Sequence, residues 1–484
     1  MDCEYKLPPV DAVFEIFKQL NQIPRPSHHE ERVADFLCQY AERLGLEYER
    51  DAHNCVVIRK PASPGREKDD PVVLLNHMDM VCVGMNDPLS DPVEAYTDGG
   101  WMRARGTSLG ADNGIGLSMA LAVLADDSIQ HPALEVLTTT NEEDGMSGAA
   151  NLSPHFLRGR KVINLDSEDY DTITTGAAGA YLQQHRLPFA WQPAPKGKYR
   201  WYRISIAGGQ GGHSGVDINK GRASATVCTW AILAAIFNEY DIYVADVRVG
   251  EANASIASSA ELVVCVPSGE AAEYVKAQEA TFNEWVAEEY GAGDPHVHCH
   301  IEKTEPRQQV IAPEAVEALL TALEQIPQGV VKMSDVMEGT VETSNNVGRI
   351  YVEDSGVMVS THTRSFIDRD MVALGEEIRE AFARQGGSSE LVMSAPAWQE
   401  NPDSDFLRLT SDVFLDVLGW RPRPVAMHFV LEAGYFVQKY PGIEMASIGP
   451  RIVEPHSTSE RVELKTIEDI WQVVQELLER LARR

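Results

Sequence analysis

Apolar and polar positions follow two rhythms along the first third of the chain. Val13, Phe14, Ile16, Phe17 and Leu20 recur at helical spacing, and Ile115, Leu117, Met119, Leu121, Val123 and Leu124 make residues 111–126 a largely apolar helix. The short apolar runs VVLLN (72–76), ALEVLTTT (133–140) and KVINLD (161–166) read as strands. Helices and strands in this order predict an α/β domain.

Proline-rich stretches around 188–198 and 394–403 bracket a segment of different character. Inside it WYRISIAGG, ELVVCVPS, HVHCHIEK and GRIYVED read as strands, while 222–239, 313–325 and 370–385 read as helices. That mix predicts an α+β module on an antiparallel sheet, inserted in the first domain. Beyond it the α/β style returns and ends on the stripe Ile467, Ile470, Trp471, Val474, Leu477, Leu478 and Leu481, with Thr466 and Asp469 expected as a capping box. Residues 1–187 and 398–484 would then build one domain, with 188–397 inserted between them.

A length of 484 residues fits more than one domain with a real core. The net charge of −31 argues against nucleic acid or anionic lipid as a partner, because like charges would repel. The start MDCEYKLPPV lacks a basic segment followed by an apolar one, and no run of about 18 apolar residues occurs, so neither secretion nor membrane spanning is expected. Seven cysteines (Cys3, Cys38, Cys55, Cys82, Cys228, Cys265 and Cys299) are odd in number and without CxxC spacing. They read as reduced thiols of a cytoplasmic protein, mostly core filler.

The chemistry gathers at strand ends. VVLLN runs into His77 and Asp79, LTTTN into Glu142 and Glu143, and VINL into Asp166, while GTSLGADNGIG puts Asp112 in a glycine-rich loop entering a helix. In open α/β sheets ligands bind beyond the carboxyl ends of the strands, so these acids are expected to face one crevice. Such a set repels itself by several kcal/mol unless cations compensate. With Asp112 bridging two Zn²⁺ ions, Glu143 and Asp166 holding one each and a bridging hydroxide, +4 balances −3 and −1. A candidate for the second imidazole is His456 in IGPRIVEPHSTSERVE, and the whole set suits tetrahedral zinc with an open position. Asp79, on the strand face of His77, is placed to accept the other imidazole N–H and aim the ring. Glu142 and Glu143 cannot both ligate comfortably from one turn, which leaves Glu142 as general base and Glu143 as ligand. His296, His298 and His300 share one strand face and could grip a metal, but they sit in the inserted module without those acids and read as an exposed face.

The motifs NHMDMV, GTSLGADNGIG, TTNEEDGMSGA, NLDSED, GGHSG and EPHSTSE together resemble the co-catalytic zinc aminopeptidase, dipeptidase and aminoacylase superfamily. IPRPSHHEERVADFL and the length point within it to the bacterial aminoacyl-histidine dipeptidases. The resemblance covers nearly the whole chain. It implies a cytoplasmic, homodimeric metallodipeptidase with two Zn²⁺ per subunit, or Mn²⁺ or Co²⁺, cleaving dipeptides that include Xaa-His and carnosine-like substrates. It also implies a zinc-peptidase-like α/β catalytic domain with a mixed central sheet flanked by helices, and that the inserted α+β module is a lid. His77, Asp112, Glu143, Asp166 and His456 match the ligand positions, Asp79 and Glu142 the supporting and base positions. His213 matches a histidine that meets the oxyanion, and Asn253 and Arg364 match residues that hold the substrate carboxylate. One departure stands out: HFVLEAG has Phe429 and Val430 where two small residues are expected, which should narrow a substrate pocket. Competing expectations are an amidohydrolase acting on N-acyl amino acids and a catalytically inactive metal-binding relative; the intact Glu142 beside Glu143 argues against the second.

Overall fold

The computed structural model describes residues 9–482, and Cys3 lies outside them. The chain divides into two compact units, one comprising residues up to Gly176 with Glu400–Ala426 and Glu432 onward, the other Ala177–Gln399 with Met427–Leu431.

The first unit is built on an eight-stranded sheet in the order Glu47–Arg50, Val56–Lys60, Leu134–Thr139, Val72–His77, Lys161–Asn164, Glu444–Ser447, Thr172–Ala177, Arg423–Met427. Its centre is parallel: Val72–His77 pairs in parallel with Leu134–Thr139 and Lys161–Asn164, and Lys161–Asn164 with Glu444–Ser447. Glu47–Arg50 with Val56–Lys60, Val56–Lys60 with Leu134–Thr139, and Glu444–Ser447 with Thr172–Ala177 pair antiparallel. Val72–His77 and Leu134–Thr139 are buried at every position, which is why they read as continuous apolar runs rather than alternations. Ala111–Ala125 is buried through Leu124 on every side, as expected of a helix apolar all round. The sheet is mixed and flanked by helices, as the family resemblance implies.

The last helix, Leu464–Leu481, buries the predicted stripe, but its start corrects the expected capping box. The strand Arg461–Glu463 runs straight into it, so Thr466 lies inside the first turn and donates to the Glu463 carbonyl at 2.7 Å. Asp469 pairs instead with Lys465 and accepts from the Tyr170 hydroxyl at 2.8 Å.

The second unit carries a nine-stranded antiparallel sheet, in the order His298–Lys303, Tyr199–Ala207, Ala260–Pro267, Tyr243–Val249, Val341–Glu353, Gly356–Ser365, Gly179–Pro188, Ser388–Ala395, with Gly329–Met333 paired onto Val341–Glu353. The predicted helices appear as Ala225–Phe237, Pro313–Gln325 and Asp368–Arg384. A fourth, Glu270–Tyr290, has acids scattered through its sequence and no clean apolar stripe, which is why the spacing misses it. His296, His298 and His300 are exposed, with His300 3.5 Å from Glu279.

Among the described residues no helix is long and apolar enough to cross a membrane. The six described cysteines are free thiols, and Cys55, Cys228, Cys265 and Cys299 are buried, their thiols pushed up to about 12 by desolvation.

Candidate functional site

Strand register assembles the first group of side chains. His77 stands opposite Thr139, and Leu75 opposite Asn164, so three parallel neighbours end level. The residues just beyond those ends bring Glu142, Glu143 and Asp166 to the same edge. Asp112 departs from helical geometry in the first turn of Ala111–Ala125. His456 arrives from far along the chain because Ile452–Val453 and Arg461–Glu463 form a hairpin that pairs onto Trp101–Ala104, just before the glycine loop.

The distances make one cluster. His77 Nε2 lies 3.0 Å from Asp112 Oδ1 and 3.1 Å from Asp166 Oδ1. His456 Nε2 lies 3.1 Å from Asp112 Oδ2 and 3.0 Å from Glu143 Oε2. The two oxygens of Asp112 thus face two different imidazoles, an arrangement suited to a bridge. Two overlapping groups, His77 with Asp112 and Glu143, and Asp112 with Glu168 and His456, could each hold a metal ion. Imidazole nitrogen with carboxylate oxygen is a donor set that fits zinc and its divalent neighbours.

Charge explains the perturbed protonation. Burial works against a charged His77, yet Asp166, Asp112 and Asp79 raise it well above the ordinary histidine value. Hydrogen bonds to Asp112 and Glu143 push His456 up to about 11. Despite burial, the same imidazoles pull Asp112 far below the carboxylate range. Burial raises Glu142 well above its usual value, and raises Asp166 and Glu143 as well. Glu168 is pushed up to about 8 by burial and then by Asp112 and Asp166.

Asp79 does more than the sequence suggests. His77 Nδ1 is nearer the Asp79 backbone carbonyl (3.1 Å) than its carboxylate (3.5 Å). The Asp79 carboxylate accepts from Ser27 at 2.7 Å and from the Glu142 and Glu143 amides at 3.1 and 3.2 Å. It therefore fixes the turn that presents both glutamates.

Four further residues belong to this frame and escape sequence reasoning. Arg25 is fully buried and donates to the Gly110 carbonyl at 2.7 Å and to the Met78 and Asp79 carbonyls at 3.3 Å. Gly110 has φ 67°, and a Cβ there would sit 2.5 Å from the Arg25 guanidinium, so glycine is required. The Glu460 carboxylate accepts from three successive amides, Leu109 at 2.7, Gly110 at 3.0 and Ala111 at 2.8 Å, immediately before Asp112. Glu432 accepts from Thr139 Oγ1 at 2.8 Å and is pushed up to about 8 by burial and then by Asp166. Glu168 is the fourth. Arg25 lies in IPRPSHHEERVADFL and Glu460 in EPHSTSE, but no spacing marks a carboxylate that will hold three amides.

The second unit holds His213, Asn253 and Arg364. Nδ1 of His213 accepts from the Gly215 and Val216 amides, both at 3.1 Å, so its N–H is on Nε2. A Cβ on Gly215 would come within 1.9 Å of the His428 carbonyl, so this turn tolerates only glycine. Burial and then the nearby Arg364 hold His213 neutral, down to about 4. The Phe429 ring stands edge-on to His213, centroids 6.1 Å apart. Arg364 is buried and its hydrogen bonds go to Ser214 Oγ at 3.2 and 3.4 Å and His362 Nδ1 at 3.5 Å, neutral partners all. Burial lowers its guanidinium to about 10. His362 and His428 are likewise held neutral by burial and then by Arg364, His428 down to about 3. His213 bridges to Ser255, two residues from Asn253, whose Oδ1 has no hydrogen-bond partner among the described residues.

The chain as a whole is similar to known peptidases. The chain is 33% identical over 473 residues to the cytosol non-specific dipeptidase of Escherichia coli (strain K12), covering 97% of each. The crystal structure of aminoacylhistidine dipeptidase from Vibrio alginolyticus superposes with a TM-score of 0.92 at 33% identity, covering 99% of each chain. Aminopeptidase PepT from Bacillus cereus shares the fold with a TM-score of 0.60 at 16% identity, covering 98% of this chain and 99% of that one. Residues 73–480 match a single peptidase family. The chain belongs to peptidase family M20/M25/M40.

Proposed function

We propose that this chain is a metal-dependent dipeptidase of the cytoplasm, acting on dipeptides that include Xaa-His, with two Zn²⁺ ions held by His77, Asp112, Glu143, Asp166 and His456. The observation that carries the metal reading is the division of the Asp112 oxygens between His77 at 3.0 Å and His456 at 3.1 Å. When bound, such ions supply Lewis acidity toward a peptide carbonyl and bring the pKa of water toward neutrality.

The chain's own groups do the rest. Glu142, whose backbone is fixed by Asp79 and whose burial raises its basicity, takes the proton of the attacking water on a carboxylate oxygen and delivers it to the leaving amine nitrogen. His213, neutral and protonated on Nε2, donates to the developing oxyanion. Arg364, a buried cation whose hydrogen-bond partners among the described residues are neutral, takes the substrate's C-terminal carboxylate together with the Asn253 side-chain amide. Phe429 and Val430 narrow the range of side chains accepted.

The test is metal analysis of the purified protein together with hydrolysis of Xaa-His dipeptides against N-acetyl amino acids. Activity should vanish on exhaustive chelation, return with Zn²⁺ or Mn²⁺, and favour dipeptides. Turnover indifferent to chelation, or a preference for N-acetyl amino acids, would overturn the reading.

A further inference from the structure

We infer that Glu168 is a further carboxylate donor to the cation position it shares with Asp112 and His456. The inference rests on the metal reading above and extends its donor set. Asp112, Glu168 and His456 each offer a ligand atom, and these atoms all lie within 4.8 Å of one another.

The backbone explains why Glu168 faces His456. Its carbonyl accepts from the Ile452 amide at 3.0 Å, at the start of the hairpin that carries His456. One residue earlier, Gly449 lies so close to Ser167 that a Cβ there would fall 1.8 Å from the Ser167 carbonyl oxygen. The segment after Asp166 and the segment before His456 are thus pressed together, and Glu168 rides on the contact.

Charge and chemistry then decide the role. Glu168 is partly buried, with the like charges of Asp112 and Asp166 and the imidazole of His456 as its charged surroundings. Carboxylates held together out of water require compensation. With Glu168 included, four carboxylates balance two divalent cations without any help from hydroxide. The Asp112–His456 position, with Glu143, becomes richer in oxygen than the one around His77, a donor set suited to harder ions such as Mn²⁺.

The experiment titrates Mn²⁺ into the metal-stripped full-length protein and counts free ion by electron paramagnetic resonance. Wild type should bind two ions. In Glu168→Gln and Glu168→Ala, with circular dichroism confirming the fold, one ion should weaken by about tenfold or more while the other keeps its affinity. His456→Ala should weaken that same ion. Two unchanged affinities in both Glu168 variants would overturn the inference and leave the metal reading standing. Equal weakening of both ions would also overturn it, because that is the mark of a diffuse charge effect. A wild-type protein that binds neither Mn²⁺ nor Zn²⁺ would end both readings.

Discussion

The cluster at the sheet edge of the first unit and the cluster around Arg364 in the second are opposite solutions to burying charge. In the first, Asp112, Glu143 and Asp166 crowd two imidazoles, and burial and mutual repulsion push Glu142, Glu143 and Asp166 upward while both histidines are raised. In the second, a buried guanidinium has serine and histidine for company, and His213, His362 and His428 are all lowered. A buried charge without its opposite costs several kcal/mol, and whatever ligand supplies that opposite recovers part of the cost. The first region calls for cations and the second for an anion. A dipeptide carries a carboxylate, and a peptidase of this family is expected to use metal.

The sharpest way to break the contrast is to neutralise one carboxylate without touching the rest. Glu142→Gln keeps the shape of the side chain, so metal content should stay at the wild-type level while kcat falls by about 10²–10⁴. Near-normal turnover with full metal would remove Glu142 from the role of base. The matching change in the second region is Arg364→Met, which should lower kcat/KM for dipeptides by about 10²-fold and leave the corresponding dipeptide amides nearly untouched. If acid and amide substrates suffer equally, Arg364 serves the fold and not the carboxylate.

A smaller effect separates the frame from the donors. Glu460→Gln leaves one neutral oxygen where a carboxylate held the amides of residues 109–111. Metal affinity should fall by about ten- to a hundredfold through the misplaced Asp112 loop, with kcat at saturating metal largely kept. Calorimetric titration of Zn²⁺ reads the first quantity and steady-state kinetics the second. A lost kcat at saturating metal would place Glu460 in the chemistry itself.

The contrast was only half legible in the sequence. Period and run length disclose the parallel core strands, the buried helix at 111–125 and the antiparallel module, because burial on one or both faces writes itself into the order of apolar residues. The strand-end acids are visible because they interrupt such runs abruptly, as at His77. The helix Glu270–Tyr290 is hidden by acids placed without a clear stripe, and the strand Val341–Glu353 opens on buried polar residues, VETSNN, that no apolar pattern flags. Arg25 and Glu460 work through backbone carbonyls and amides far away in the chain, so their roles exist only once the loops meet. Glu168 stays hidden for a related reason: beside Asp166 it reads as one more solvated acid, until the hairpin closes over it.

The mildest test of the contrast is acid. His185 lies on Gly179–Pro188, between Ser389 Oγ at 2.7 Å and Thr361 Oγ1 at 2.9 Å, with its ring stacked on Phe382 at 4.1 Å. Burial holds it down to about 3. A histidine lowered in the fold contributes stability that is fully present above its unfolded pKa, about 6.5, and lost as pH falls toward 3, because the unfolded chain binds a proton that the fold refuses. Between about pH 7.5 and pH 5 this one group should withdraw about 2 kcal/mol. His185→Gln can still reach both hydroxyls and has no proton to take up, so its guanidinium unfolding midpoint should shift less between those two conditions than that of wild type. Identical shifts would mean that the buried imidazole takes up its proton in the fold as readily as in the unfolded chain, and that the second unit tolerates uncompensated positive charge far better than the surroundings of Arg364 imply.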